Sequence, residues 1–542
     1  MKNFNIFLSV LITLLFFNCN DEFLDRIPPD KINDANFWTS PSDLKTYLNQ
    51  FYEDLSTSGN WANDNLSDNQ CPATRNSYIW GDYVVPSSGG DWTKAGWESI
   101  RRCNYFLQRY QTTNGDAQEI AIYSGEAKFF KSWYYFEKLS RFGDIPWLST
   151  DLNVDSEELY NGRTSRMIVV DSVLNDLDKA IQRLPETSSE GRLTKYAALA
   201  FKSRFCLFEA SFRKYHGMQD YESLFGEAIS ASEAIMNAGL FDVYNAGNPD
   251  KDYYNLFILD DLSNNVESIM SKTYEVDLLM HNRVRQLGEA GNGFSKDFVE
   301  TYLCSDGKPI SISLLYQGES VEDYDSEFAN RDPRMRQSVY TSDQPYHITD
   351  EGEIQYQITP EFDNGKCFTG YRIYKGFSPT QRDFEYQRCT LDEFIFRYAE
   401  VLLNYAEAKA ELEECTQSDL DKSINLLRSR VGMPDLTVEV GFVDEDWPEW
   451  EVSISPLLNE IRRERRVELA AEGMRFNDIL RWKAGKLLEN PKTYLGALDP
   501  QTAEYRLLYP GLTRTWDDKR YLYPIPTQEL VLNTALDQNP GW

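Results

Sequence analysis

Apolar residues recur at helical spacing along much of this 542-residue chain. Phe129, Phe130, Trp133, Phe136 and Leu139 form one such set, and Ala399, Leu402, Leu403, Ala406 and Ala410 another. Steps of three and four place each set on one face of a helix. The pattern predicts helices over about 41–55, 97–110, 117–142, 166–184, 194–212, 221–238, 390–413 and 419–431, and a helical hairpin over 456–488. Gly143 with Pro146, and later Gly432, supply the stops. The period fades over 56–96, rich in Ser, Asn, Asp and Gly, and over 243–388, where short alternating runs such as EIQYQIT appear. Helical pattern resumes after both. The expected fold is therefore mostly α: paired helices like those of tetratricopeptide (TPR) arrays, interrupted by loop-rich, irregular stretches.

The hairpin carries the densest signal. Ser455 is placed to cap it, Pro456 suits its first position, and Gly473 suits its end. Leu458, Ile461, Arg465, Glu468 and Glu472 share one face, which starts apolar and becomes charged. Charge on a core-facing stripe is costly unless paired. Arg465 and Glu468 have each other, Arg475, Asp478 and Arg481 within reach. A solvated face and a buried ionic network both fit the spacing.

The first residues read differently. Lys2, then the apolar run Phe4–Phe17, then Cys19 make a signal-peptide pattern over 1–18. The run is too short to span a bilayer comfortably. Cys19 is the expected lipid attachment site, residues 19–38 a tether, and 39–542 the body. The net charge of −31 removes any basic footprint for nucleic acid and repels anionic polymers. The other seven cysteines are scattered without a CxxC, which suggests neither a zinc site nor a disulfide scaffold.

Catalytic signatures are sparse. GxSxG, HExxH, the P-loop and GxGxxG are all missing, and the only histidines are His216, His281 and His347. A glycosidase-type carboxylate pair stays open among 86 acidic residues. Sugar binding needs less: an aromatic ring for the C–H face of a pyranose, and Asn, Asp or Arg for its hydroxyls. Trp61, Arg75, Asn76, Tyr78, Trp80 and Trp92 in the first irregular stretch supply both kinds, and His281, Asn282 and Arg283 in the second complete the expected site. Trp97 and Trp133 sit at helical positions and are assigned to the core.

Within the hairpin, ERRVELAAEGMRFNDILRW resembles the C-terminal signature of the SusD/RagB family of Bacteroidetes outer-surface lipoproteins. Its carriers are Glu464-Arg465-Arg466, Glu468-Leu469, Glu472-Gly473, Arg475, Asp478 and Arg481-Trp482. GEAKFFKSWYYFEKLSRFGDIPW, CSDGKPI and the closing stretch from Pro524 to Gly541 resemble further family motifs. Asn20-Asp21-Glu22 resemble the surface-export signal that follows the lipidated cysteine. The resemblance implies a SusD-like fold, a TPR-like helical-hairpin scaffold with a loop-rich, irregular ligand-binding part packed on it, and the Arg-Glu hairpin as a structural element. It also implies a cell-surface, outer-membrane lipoprotein that needs no cofactor and is not an enzyme. Such a protein captures oligosaccharide and sits on a SusC-like TonB-dependent transporter. Other readings remain: a peptide binder like the RagB branch, a glycoside hydrolase, and a TPR-type scaffold for protein partners.

Overall fold

The computed structural model describes residues 37–55, 59–188 and 191–542. The signal-peptide and Cys19 readings lie outside these residues. The first described helix, α1 (Pro41–Tyr52), starts where Ser40 and Asp43 cap each other's backbone and Pro41 needs no amide partner. α2 (Lys94–Arg109), α3 (Ala117–Phe142), α4 (Arg166–Arg183), α5 (Lys195–Tyr215) and α6 (Glu222–Met236) follow. α3 packs on α4 and α5 on α6, as the paired-helix expectation requires. Gly143 ends α3 at φ +74°, and a Cβ there would lie 2.9 Å from Leu522 Cδ1.

The long helix expected over 390–413 is two elements. Its first third is a strand, because Phe394, Ile395 and Phe396 pair more readily than they coil. Among the described residues, eight short strands make four antiparallel two-stranded ladders. β1 (Gln70–Pro72) pairs with β3 (Asn292–Phe294), and β2 (Ser268–Lys272) with β6 (Glu393–Arg397). β4 (His347–Ile348) pairs with β5 (Ile354–Gln355), and β7 (Leu495–Asp499) with β8 (Glu504–Leu507). α7 (Tyr398–Glu411) then packs on α6. The helix expected over 419–431 is broken at Lys422 and Ser423, leaving α8 (Ile424–Arg430) as its larger piece.

The hairpin is α9 (Pro456–Glu468) and α10 (Arg475–Arg481), with Ser455 Oγ accepting from the Leu458 amide. α9 ends five residues before Gly473, and Ala471 also takes positive φ in the turn. Gly473 itself leaves no room for a side chain: a Cβ would sit 2.5 Å from Asn60 O. Each face of this hairpin feeds a different apolar cluster. Leu458, Ile461 and Leu469 join the helical core. Val467 and Ala470 join the core of the loop-rich part, with Phe294, Phe298 and Tyr371. Phe476, Ile479 and Leu480 join a third cluster with Tyr78, Trp80 and Tyr509.

The charged end of the stripe is buried and paired. Glu468 is fully buried and accepts from Arg334 (3.0 Å), Arg397 (2.8 Å) and Arg430 (2.7 Å). Glu464 accepts from Arg334 and from Arg428 at 2.9 Å. Arg465 bonds Asp478 at 3.0 Å rather than Glu468, and its Nη1 reaches Asn404 at 2.8 Å. Arg481 pairs with Glu407, and Arg475 with Asp68 at 2.8 Å. Burial alone would raise the Glu468 carboxyl; the three guanidiniums override it and hold the group well below the usual range.

We expect Glu468→Ala to lower the unfolding free energy by about 3–5 kcal/mol, because three buried guanidiniums lose a shared partner. A urea denaturation midpoint equal to that of the wild type would refute the buried network. Glu407 adds a pH test. Burial would raise its carboxyl, but Arg481, with Arg465 and Arg462, holds it at about 2. Its unfolded value is about 4.3. The stability advantage over Glu407→Gln should therefore be complete above about pH 4.3 and vanish as the pH falls towards 2.

Candidate functional site

A groove opens where the helical scaffold meets the loop-rich part. Its inner section, about 170 Å³, is lined by Trp133 and Glu137 of α3, Arg204 of α5, β6 with Glu400, and Trp61, Arg283 and Lys375 from the loops. An outer section of about 560 Å³ continues past Tyr134, Lys138, Arg141 and Asn477. Asp54 and Glu137 line both sections, so they mark the join.

The hairpin forms one wall through Ala471, Glu472 and Met474. Lys375 and Arg397 bridge Glu472 at 2.6 Å each, so the groove floor is the edge of the buried ionic network. Burial lowers the Lys375 ammonium to about 8 against the pull of Glu472. Arg204 is held by Glu400 at 2.6 Å and Arg283 by Glu393 at 2.7 Å. Asp54 and Glu137 make no ion pair among the described residues. Asp54 accepts from Tyr134 Oη at 2.6 Å and Glu137 from Trp133 Nε1 at 3.1 Å. Desolvation by the groove walls pushes the Glu137 carboxyl up to about 7, although the residue as a whole is exposed. Glu137 and Asp54 both stay open to solvent. The groove thus offers aromatic surface beside two carboxylates whose lone pairs are not committed to cations.

The structure does not bring the expected site residues together. Trp61 and Arg283 meet at the inner groove. The others disperse into separate cores, because each finds a local partner. Asn76 spends its side chain capping the short helix Ser77–Trp80, accepting from the Tyr78 and Ile79 amides. Tyr78 stacks on Tyr523 at 3.9 Å and is 2% exposed. Trp80 packs between Tyr494 and Tyr509, and Trp92 between Trp97 and Phe142; both are buried. Arg75 pairs with Asp82 at 2.6 Å on the surface. His281 is buried, its Nε2 bonded to Leu391 O and its Nδ1 accepting from the Arg283 amide; burial lowers its pKa. These six do not share the inner groove with Trp61 and Arg283. Trp61 is itself 94% withdrawn from solvent in the loop-part core, showing the groove only an edge of its surface. Trp133, expected in the core, packs on Phe201 and Phe396 yet is half-buried and lines the groove.

A family model described as "SusD family" matches residues 232–542. The chain belongs to the SusD family. A second model, described as "Starch-binding associating with outer membrane", matches residues 22–207. Full-length SusD relatives include "SusD-like protein P2" of Formosa agariphila, 24% identical over all of both chains. A "SusD-like protein" of Bacteroides ovatus is 23% identical over 86% of this chain and 80% of its own. Among solved structures, a SusD-like protein from Bacteroides fragilis superposes with a TM-score of 0.75 at 26% identity, covering 95% of this chain and all of that one. A SusD-like carbohydrate binding protein from the same species gives 0.73 at 24%, over 92% and 100%. The mostly helical, SusD-like fold expected from the sequence is thus found.

Asp54, Glu137 and Arg204 were not singled out from the sequence. One signal was available: Trp133 and Glu137 stand four apart on α3, so one face carries a ring and a carboxylate together. Trp80→Ala and Trp92→Ala should each cost about 3–5 kcal/mol of stability, the usual loss for a buried Trp. Arg75→Ala should stay within about 0.5 kcal/mol, being an exposed pair. Denaturant melts of the three variants check this ordering.

Proposed function

We propose that this SusD-family protein is a cell-surface lipoprotein, anchored through Cys19, that captures oligosaccharide and delivers it to a SusC-like TonB-dependent transporter. The observation that supports capture most directly is the groove joined at Asp54 and Glu137, with Trp133 on its wall. A pyranose laid on the Trp133 ring puts its hydroxyl rim against carboxylates that accept without needing a cation. The groove's two sections suit an extended, uncharged chain of sugars, and the net charge of −31 opposes an anionic one. A structural neighbour supports the same reading: the SusD-like protein from Bacteroides fragilis at 24% identity is a carbohydrate binding protein. The proposal includes a signal peptide over 1–18, a tether over 19–38 and a body over 39–542.

Binding is proposed without turnover. Hydrolysis has one observation in its favour: a carboxyl pushed up to about 7 at Glu137, beside a second carboxylate at Asp54, resembles an acid and its partner. Release of reducing ends from an oligosaccharide bound by the wild type, abolished in Glu137→Gln, would establish that reading instead. A peptide ligand is the other alternative, and competition by peptides against bound oligosaccharide would reveal it.

Two measurements test the main reading. Glu137→Gln and Asp54→Asn, both solvent-open, should weaken oligosaccharide binding by about 1.5–3 kcal/mol each with little change in melting temperature. Titration calorimetry against a panel of neutral plant and microbial oligosaccharides reads this, and unchanged affinity in both variants would remove the groove from the site. Cys19→Ala should take up no fatty-acid label and leave the outer membrane; equal labelling of variant and wild type would end the anchor proposal.

A further inference from the structure

A second cavity, about 570 Å³, shares no lining residue with the groove. It falls within the ~300–1,000 Å³ range of small-molecule sites. One wall is the segment 444–450, another is α9, and the far side comes from 297–301 and 486–492. The wall residues Trp447 and Trp450 are half-buried. Both indoles are pinned by their N–H groups: Trp447 Nε1 donates to Glu460 Oε1 at 2.7 Å, and Trp450 Nε1 to Asn459 Oδ1 at 2.6 Å. Pinned rings present a fixed apolar face at low entropic cost to a ligand.

The α9 side holds Arg462, 2% exposed and stacked between Trp450 and Trp482 at 4.6 and 4.4 Å. Its Nη2 donates to Tyr215 Oη and Glu411 Oε1, while Nε and Nη1 have no hydrogen-bond partner among the described residues. Buried donors left open are rare and costly. Among the other cations of the cavity, Arg463 is matched to Asp444, Arg466 to Asp297, Arg475 to Asp68 and Lys492 to Glu300, while the exposed Lys486 makes no ion pair among the described residues. Glu445, Asp446 and Glu449 at the mouth are exposed and add negative charge. An anion is repelled there, and a cation meets a guanidinium within.

We propose that this cavity is a second saccharide site, taking one or two neutral pyranose rings against Trp447 and Trp450. The chemistry is ring-face stacking on indole, with sugar oxygens approaching the Arg462 side and hydroxyl donors meeting the acidic mouth. The site stands whether or not the groove binds sugar. With two sites on one body, a polysaccharide is held at two points and dissociates more slowly than from either alone.

The test uses the mature chain and four probes, maltohexaose, cellohexaose, xylohexaose and mannohexaose, each by titration calorimetry at up to millimolar concentration. For at least one probe, Trp447→Ala should remove one of two binding events, weakening it at least about tenfold, the usual worth of a stacked ring. Trp447→Phe keeps a ring and should hold that event within about threefold of the wild type. A native urea midpoint for Trp447→Ala separates loss of contact from loss of fold; if its midpoint falls, the triple variant Glu445→Gln, Asp446→Asn, Glu449→Gln at the exposed mouth replaces it, and full wild-type affinity there overturns the proposal. Binding that Glu137→Gln abolishes and Trp447→Ala leaves intact overturns this site and keeps the groove. The reverse pattern keeps this site and overturns the groove. No heat with any of the four probes overturns both.

Discussion

Glu468 is the group on which the architecture turns. One carboxylate, fully withdrawn from water, is shared by Arg334 from the loop-rich part, Arg397 at the end of β6 and Arg430 of α8. Isolated burial of any one of these charges is prohibitive, and shared burial is tolerable only when geometry and hydrogen bonds are complete. The constraint runs one way: all of these segments must arrive before the charges can leave water. A network of this kind therefore specifies arrangement more than it adds stability. It explains why a loop-rich region without much regular structure sits in one place on a helical scaffold.

The same network reaches the groove. Glu472 joins Lys375 and Arg397, and both cations also donate to the Glu468 carbonyl. The floor of the groove is therefore held rigidly from beneath. Its walls are also held: Arg204 by Glu400, Arg283 by Glu393. A site with fixed walls and two uncommitted carboxylates loses little freedom on binding. Asp64 ties the first loop to the same turn, accepting from the Ala471 amide at 2.9 Å. Burial pushes its carboxyl up to about 7, and the two backbone amides beside it only partly offset this.

The aromatic residues divide along physical lines. In polar surroundings a large ring is buried wherever a neighbour can cover it, since each contributes a large apolar area. Trp80, Trp92 and Tyr78 are covered by rings far away in sequence, Tyr509, Phe142 and Tyr523. Trp133 is not fully covered, because the loop-rich part stops short of α3 and leaves the groove between them. Trp447 and Trp450 likewise stay half-buried beside a cavity.

Most helix positions, the cap at Ser455, the stop at Gly143 and the family signature were legible in the sequence, because they depend on spacing a few residues long. The paired-helix scaffold followed from the same local periodicity. The strand at Glu393–Arg397 was not legible, since it exists only by pairing with Ser268–Lys272, over a hundred residues earlier. The fate of the charged stripe was open for the same reason: spacing shows which residues share a face, and tertiary packing alone decides whether that face meets water or arginine. The groove is tertiary throughout. Asp54, Glu137, Arg204 and Arg283 come from four separate segments, and no local pattern joins them. The cover of Trp80 by Tyr509 and of Trp92 by Phe142 comes from residues distant in the chain, which local sequence cannot report.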